Sequence, residues 1–262
     1  MVKLLISQKT KKENVKSGSE NRKLTFKLIK LTSLKEIQIL RMYNLMCDSY
    51  DNMSEIQFRE DLQTKDYVGL LLNNLNEIYG FTTIKVNSVR IEGVNSIFSG
   101  DTIIDKNYWG KNNLVSGWVK AIGQISTLDT TKPWVWFLIS KGHRTYMFLP
   151  IYFNQYYPSI DRDKGKELMP IIRSIAKKKY KNNWFEKEGI LRFEKALGNM
   201  NDELCNDTFN SRNKHAKFFL TKNPGFYKGE ELVCGTWINE DNLHPRIKNY
   251  FINGVHEGLK NV

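Results

Sequence analysis

The sequence predicts an α/β (α+β) fold in which a mixed, mostly antiparallel sheet is flanked by helices. Segments of alternating apolar and polar residues, typical of strands, are interspersed with segments whose apolar residues recur every three to four positions, typical of helices. Three strand segments follow one another in the middle of the chain, which excludes the strict alternation of a doubly wound sheet. The chain has 262 residues, 40% of them hydrophobic, which is enough to bury a core.

The first predicted elements are a strand and two helices. Residues 24–31 alternate apolar and polar side chains and predict a strand. A helix follows, and the pair Ser33 and Glu36 fits a capping box at its start. A second short helix is predicted from Ser54 to about Gln63, because a serine at this point is a preferred capping residue.

Three consecutive strands come next. Residues 67–72 and 77–86 are joined by the polar turn at residues 73–76, and together they predict a β-hairpin. Residues 94–105 predict a third strand. Gly100 lies inside this strand, where a glycine indicates a bulge or a close approach of another backbone.

A loop, two helices and a buried strand complete this part of the pattern. The loop at residues 106–112 leads into a helix predicted over residues 113–126. The short apolar run at residues 134–139 suits a buried strand. A further helix is predicted over residues 143–153, and Pro150 is expected to interrupt it.

The last hundred or so residues carry a weaker pattern. We predict a helix over residues 167–179, strands at residues 189–193 and 231–238, and a terminal helix over residues 241–259. Charge density rises sharply within residues 162–184, which places a boundary there.

The chain is therefore divided into three predicted parts. A flexible basic arm covers residues 1–23, since these residues are rich in Lys, Asn, Ser and Glu and lack an apolar period. A core covers residues 24–160, and a C-terminal α/β extension that packs on it covers residues 161–262.

The charge balance suggests partners of negative charge. The chain has 40 Lys and Arg against 28 Asp and Glu, a formal net charge of +12. Such a surplus suits nucleic acid, an acidic protein or a phosphorylated ligand. No helix-turn-helix, zinc-finger or aromatic RNA-binding motif is found in the sequence, and the lysines are spread along it. We therefore do not expect a nucleic-acid partner, although a basic nucleic-acid-binding protein stays the alternative, and genome bias also fits the abundance of lysine.

Membrane insertion and metal binding are not expected. The sequence has no run of about 18 apolar residues, and the apolar stretch at residues 4–6 is too short for a secretion signal, so we expect a cytoplasmic protein without a membrane span. Cys47, Cys205 and Cys234 lie far apart in the sequence. They predict neither a disulfide framework nor a metal site.

The loop before the helix at residues 113–126 is the most informative feature. A glycine-containing loop that opens a helix presents unpaired backbone N–H groups at the positive end of that helix. Such a loop suits a phosphate or pyrophosphate. An ordinary strand-to-helix turn is the alternative. The candidate ligand residues are Gly110, Lys111, Asn112, Asn113 and Leu114, of which Lys111 adds charge.

Residues 99–123 read SGDTIIDKNYWGKNNLVSGWVKAIG. This segment and the order of elements around it resemble the GNAT (acyl-CoA N-acyltransferase) superfamily. The resemblance covers residues 24–157 and rests on element order more than on letters. The family's loop reads Q/R-x-x-G-x-G/A, whereas here Trp109 stands for Gln or Arg, and Asn112 and Leu114 stand for the two small residues.

The resemblance implies an N-acyltransferase. The acyl donor would be acyl-coenzyme A or an acidic acyl carrier protein, bound along Ile103 and Ile104 and by the loop that follows them. The acceptor would be a primary amine, such as a polyamine, an amino acid, or a lysine or ornithine side chain of a peptide. Some GNAT-like enzymes of this size transfer fatty acyl chains, and the apolar residues 146–157 would suit either a long acyl chain or core packing.

The resemblance also implies catalytic roles. In the family, a tyrosine on the helix after the fifth strand often protonates the leaving thiolate, and Tyr146 lies in the matching helix. Asp101, near the predicted bulge, or His143, just past the next strand, is the predicted base or water-holding residue. The alternative roles are a packed core aromatic for Tyr146, an outward-facing solvated carboxylate for Asp101, and a helix-capping or surface histidine for His143. A GNAT-like fold that has lost catalysis and binds a ligand or partner is a further alternative.

Overall fold

The computed structural model of the protein describes residues 24–108, 113–193, 199–200 and 202–260. The strands in these ranges are β1 (Thr25–Lys30), β2 (Tyr50–Asp51), β3 (Tyr67–Leu72), β4 (Ile78–Val86), β5 (Asn95–Ile104), β6 (Trp134–Ser140), β7 (Tyr156–Tyr157), β8 (Trp184–Phe185), β9 (Ile190–Leu191), β10 (Asn199–Met200) and β11 (Glu231–Ile238). The helices are α1 (Glu36–Cys47), α2 (Glu55–Gln63), α3 (Asn113–Ser126), α4 (His143–Tyr146), α5 (Phe148–Tyr152), α6 (Leu168–Tyr180), α7 (Asp202–Asn210), α8 (Lys214–Lys222) and α9 (Pro245–Leu259).

One mixed sheet organises the fold. Its strand order is β1-β3-β4-β5-β6-β11-β9-β8, and β7 pairs with β11 beside this path. Within the described ranges, β5 and β6 form the one parallel pair of this sheet, and its other pairs are antiparallel. The predicted fold class, a mostly antiparallel sheet flanked by helices, is confirmed.

Helices cover both faces of the sheet, which explains why the run WVWFLI is apolar at every position. Successive side chains of a strand point to opposite faces. Trp136 of β6 belongs to a core shared with Trp118 and Ile122 of α3. Its neighbour Phe137 belongs to a second core, shared with Ile172 of α6. A third core lies between α1, α2 and the first strands of the sheet.

The predicted bulge in β5 is confirmed. The pairing of β4 with β5 shifts between Thr82 and Ile84, so that Gly100 and Asp101 of β5 lie opposite Thr83 alone. A β-bulge of this kind places two residues of one strand against one of the other. A Cβ atom on Gly100 would lie only 2.6 Å from the Thr83 hydroxyl oxygen, which explains the glycine at this position.

The two parallel strands diverge at the bulge. Their ladder pairs residues Asn95–Ser99 of β5 with residues Trp134–Leu138 of β6. Both strands continue beyond it, β5 to Ile104 and β6 to Ser140, without pairing with one another. A wedge-shaped opening therefore forms between them.

Two predicted helix boundaries are wrong. The pair Ser33 and Glu36 does not cap α1, because Ser33 belongs to a preceding 3-10 turn. Lys35 caps the helix instead, and its backbone N–H donates to Gln38 Oε1 at 3.0 Å. The helix predicted over residues 143–153 is interrupted, but the break falls at Met147, three residues before Pro150. Because proline has no N–H to donate to the carbonyl four residues earlier, the helix breaks in the preceding turn and Pro150 lies in the first turn of α5.

The C-terminal residues complete the sheet that the earlier residues begin. Strand β11 lies between β6 and β9, and α9 packs against α3. The division at residue 160 stays a prediction, and the sheet continues across it.

The predicted arm at residues 1–23 lies outside the described residues. No helix in the part of the chain that the structure describes is both long enough and apolar enough to cross a membrane.

Candidate active site

Two neighbouring pockets, which we call lobes, open where β5 and β6 diverge. The first, which we call the apolar lobe, measures about 430 Å³ and lies between the end of β5, the start of α3 and the helices α4 and α5. The second, the charged lobe, measures about 320 Å³ and lies between α2, the bulge of β5, the end of β6 and α6. Tyr50, Thr102 and Thr145 line both lobes, so the lobes adjoin at these side chains, which we call the junction.

The apolar lobe is lined mainly by apolar side chains of β5, α3, α5 and α7. Its apolar lining residues, besides Tyr50 of the junction, are Ile103, Ile104, Leu114, Val115, Met147, Phe148, Ile151, Tyr152 and Leu204. The stretch at residues 146–157 is divided between cavity and core, since Phe148 and Tyr152 face this lobe while Leu149 and Phe153 are buried in the core. Short apolar segments of this kind cannot be assigned to core or cavity from sequence.

Part of the predicted donor site falls on this lobe. Ile103, Ile104 and Leu114 line it together, and α3 begins at Asn113. The predicted phosphate ligands Gly110, Lys111 and Asn112 lie outside the described residues. The described residues of the predicted donor site therefore lie along one wall of the lobe, from the end of β5 to the start of α3.

The charged lobe holds three lysines and three carboxylates. They are Lys65, Lys141, Lys179, Asp61, Asp101 and Glu231. Lys65 Nζ lies 2.6 Å from Asp61 Oδ1, and the Lys65 side chain is only 3% exposed. Lys141 Nζ lies 3.5 Å from Glu231 Oε1. Buried charges require such partners, because an isolated charge in a dry environment is costly.

Asp101 has the ionisation behaviour of a general base. Burial, aided by the negative charge of Asp61, raises the pKa of this carboxyl to about 6, while Lys65 and Lys141 act in the opposite direction. Within the described ranges its carboxylate makes neither a hydrogen bond nor an ion pair. A carboxylate with a pKa near 6 is largely ionised at neutral pH and is still basic enough to take a proton.

Tyr50 is a site residue that the sequence did not reveal. Burial, with the charges of Asp101 and Glu231, raises the pKa of its phenol, so the hydroxyl is protonated at neutral pH. It lies in the two-residue strand β2, which pairs with β10. A strand of two residues has no periodicity, and its partner is distant in sequence, so no local signal marks this tyrosine.

Tyr146 does not lie where the predicted acid would be needed. The residue is completely buried, and its hydroxyl donates to the carbonyl of Pro158 at 2.9 Å. Its ring contacts Tyr156, Phe218 and Phe219, and it lines neither lobe. This geometry does not fit a proton donor to a ligand in the cavity, and it corresponds to the core-packing alternative.

The variant Tyr146→Phe is expected to lower the free energy of unfolding by about 1–2 kcal/mol. The reason is that the buried carbonyl of Pro158 loses its donor. Urea unfolding measures this difference, with Tyr250→Phe, at an exposed position, as the control. A role as catalytic acid would instead show as unchanged stability and a single-turnover rate slowed by about 10²-fold or more.

His143 lies at the apolar lobe, apart from Asp101. Its Nδ1 is 3.1 Å from Thr208 Oγ1, and its Nε2 is 3.6 Å from Asp207 Oδ2. The Thr208 hydroxyl donates to the carbonyl of Leu204, so it accepts from Nδ1–H of the imidazole. Burial lowers the pKa of His143, although Asp207 acts against this shift. The structure thus places the two predicted bases in different lobes.

In the part of the chain described, no group of three or more His, Cys, Asp and Glu side chains is arranged to hold a metal ion. The carboxylate of Asp101 and the hydroxyls of Tyr50, Thr102 and Thr145 lie at or beside the junction of the lobes.

The chain is similar in structure to several acetyltransferases. Neither a protein-family model nor a curated protein matches the sequence. The GNAT family N-acetyltransferase YhbS from Escherichia coli, in complex with CoA, has a TM-score of 0.34 at 14% identity, over 48% of this chain and 68% of that one. A GCN5-related N-acetyltransferase from Kribbella flavida has a TM-score of 0.35 at 14% identity, over 51% of this chain and 34% of that one.

The AtaTR structure bound with acetyl-CoA has a TM-score of 0.36 at 15% identity, over 54% of this chain and 88% of that one. Each of these three comparisons covers about half of the present chain. This chain spans only about a third of the length of the Kribbella flavida protein.

Proposed function

We propose that this protein is an N-acyltransferase that moves an acyl group from an acyl thioester to a primary amine. The observation that carries the proposal is the meeting of an apolar and a charged lobe at the point where β5 and β6 diverge. The apolar lobe suits an acyl thioester, and the charged lobe suits an amine that must lose a proton. The two reactants would meet beside Tyr50, Thr102 and Thr145.

The donor is an acyl-coenzyme A or an acyl carrier protein. Its pantetheine arm would follow Ile103 and Ile104 along β5 towards the start of α3. Its phosphate groups would lie at the loop at residues 110–114, as the sequence resemblance implies. The apolar lobe, at about 430 Å³ and lined by Phe148, Ile151 and Tyr152 of α5, would also admit an acyl group longer than acetyl.

The reaction needs one base, one acid and a donor to the carbonyl oxygen. Asp101 takes a proton from the acceptor ammonium, and the free amine attacks the thioester carbonyl. A backbone N–H of β5 beyond the bulge stabilises the oxyanion. As the tetrahedral intermediate collapses, the C–S bond breaks and the Tyr50 hydroxyl gives its proton to the thiolate. The Tyr50 phenolate then takes the second proton of the amine nitrogen, which leaves a neutral amide, and Asp101 releases its proton to solvent. Tyr50 suits this step because it is protonated and lines both lobes.

Replacing Tyr50 by Phe is expected to slow acyl transfer by about 10²-fold, because the leaving thiolate loses its proton donor. Single-turnover rates measure this effect without interference from product release. The control is Tyr152→Phe, since Tyr152 lines the apolar lobe away from the junction. If both variants slow the reaction equally, Tyr50 is not the acid.

Calorimetry and a thiol-release assay test the function itself. Coenzyme A and acyl-coenzyme A donors of increasing chain length are titrated into the protein, and turnover is then followed with a mixture of primary amines. Binding followed by amine-dependent thiol release supports the proposal. Donor binding without release at any amine indicates a ligand-binding protein that has lost catalysis. If no coenzyme A donor binds, thiol release from an acylated carrier protein tests the second donor. A gel shift of DNA or RNA that weakens steeply with salt would instead indicate a nucleic-acid-binding protein.

A further inference from the structure

The charged lobe has three lysines and three carboxylates, but within the described ranges only two of each form ion pairs. Two of its lysines are paired, Lys65 with Asp61 and Lys141 with Glu231. Among the described residues, Asp101 and Lys179 are the two charged groups of this lobe that form no ion pair, with each other or with a third residue. The lobe therefore has one negative and one positive charge without a counter-ion.

Lys179 is placed to hold an anion. It lies in the last turn of α6, and its Nζ is 4.7 Å from the centre of the Phe98 ring. Lys65 faces the same ring at 5.6 Å, and its own ion-pair partner is Asp61. Burial, followed by repulsion from Lys65, lowers the pKa of Lys179. A ligand anion would relieve this cost, because a half-buried charge is stabilised by a partner.

The unpaired negative charge lies on a different wall. Asp101 is on the bulge of β5, beside the junction with the apolar lobe, whereas Lys179 is on α6. Lys65 acts on the pKa of both groups, so both lie near its ammonium group. An acceptor whose ammonium faces Asp101 would thus extend from the junction towards Lys179.

We propose that the acceptor is a zwitterion, a primary amine that also has a carboxylate, and that Lys179 binds this carboxylate. The inference rests on the proposed function, in which Asp101 receives the amine. A carboxylate has one negative charge and a phosphate monoester nearly two, so the single unpaired ammonium favours the carboxylate. A polyamine is excluded as the preferred acceptor, because its second ammonium would meet Lys179 and Lys65. The lobe, at about 320 Å³, is at the lower end of small-molecule sites and suits an amino acid.

The test compares acceptors that differ only in the acid group. Glycine, β-alanine and 4-aminobutyrate place the carboxylate at increasing distances from the amine, glycinamide and β-alaninamide lack the charge, and putrescine replaces it with a second ammonium. For the unaltered enzyme, kcat/KM is expected to be 10- to 100-fold higher for at least one amino acid than for its amide and for putrescine. A preference for putrescine or for the amides overturns the proposal.

Variants of Lys179 sharpen the comparison. Lys179→Met is expected to lower kcat/KM for the acids 10- to 100-fold more than for the amides, mainly through KM, and Lys179→Glu should shift the preference towards putrescine. Lys177→Met is the matched control, because Lys177 is exposed on the same turn of α6 and does not line the lobe. A loss that is equal for acids and amides in Lys179→Met would contradict a role in binding the carboxylate.

Equilibrium binding separates this inference from the proposed function. The same acceptors are titrated into the full chain in the presence of coenzyme A, with no acyl group to transfer. Binding of an amino acid that weakens 10- to 100-fold in Lys179→Met supports the carboxylate site even if no acyl transfer is found. If the acids bind no better than their amides, the inference is wrong, whether or not the enzyme acylates other amines.

Discussion

Replacing Asp101 by Asn is expected to slow acyl transfer by about 10²- to 10⁴-fold, because the acceptor ammonium loses the group that takes its proton. The pKa of Asp101, raised to about 6 by burial and by Asp61, makes it an effective base at neutral pH. Single-turnover rates at saturating donor and acceptor measure the loss. The control is Asp241→Asn, at a side chain that is 99% exposed, and its rate should be unchanged.

The pH dependence identifies the same group. The carboxylate must be ionised to accept a proton, so the rate should rise with pH through about 6 and level off above it. The rise of the rate with pH through about 6 should be absent in Asp101→Asn. Because the pKa of the folded state is raised above the model-peptide value of about 3.9, ionised Asp101 destabilises the fold above that range. The variant should therefore be at least as stable as the wild type at pH 7, and a lower stability there would show that lost activity reflects misfolding.

Replacing Gly254 by Leu is expected to lower the free energy of unfolding by the 1–3 kcal/mol typical of overpacking, or by more. A Cβ atom at position 254 of α9 would lie 2.0 Å from the backbone carbonyl oxygen of Lys120 in α3. The approach is reciprocal, since a Cβ atom on Gly123 of α3 would lie 2.4 Å from the carbonyl oxygen of Phe251. The two helices must separate to admit a side chain. Guanidinium unfolding measures the difference in stability.

Asn253→Leu is the matched control for this variant. It adds the same side chain one position earlier, on the exposed side of α9, where a change of within about 0.5 kcal/mol is expected. The pair of variants also tests whether the residues after 160 fold together with those before it. One cooperative transition, shifted as a whole by Gly254→Leu, is expected, because β11 and α9 complete the sheet and core of the earlier residues. Two separate transitions would support the predicted boundary as a true division.

Local patterns predicted most of the regular structure. The hairpin β3–β4, the helix Asn113–Ser126 and the strand Glu231–Ile238 follow from periodicity, since each has enough residues to show its period. The cap of α1 and the break at Met147 could not be predicted in the same way. Both depend on one or two residues whose backbone conformation is set by the neighbouring packing.

The site was predictable only where a local rule applied. Gly100 predicted the bulge, and Asp101 is the next residue in the chain. Tyr146 matched a family position, yet its hydroxyl is used within the core by Pro158. Tyr50 and Lys179 had no local signal, since one lies in a two-residue strand and the other in a run of lysines.

The sequence by itself determined the α/β class of the fold, the bulge in β5 and the order and type of the longer elements other than α7 and α8, because each depends on residues close together in the chain. Only the tertiary structure decided which polar groups form the charged lobe. Its charged side chains come from α2, the following turn, β5, the end of β6, α6 and β11, which are far apart in sequence. Side-chain periodicity acts over a few residues, whereas the meeting of these groups depends on the insertion of β11 beside β6 and on the divergence of two parallel strands.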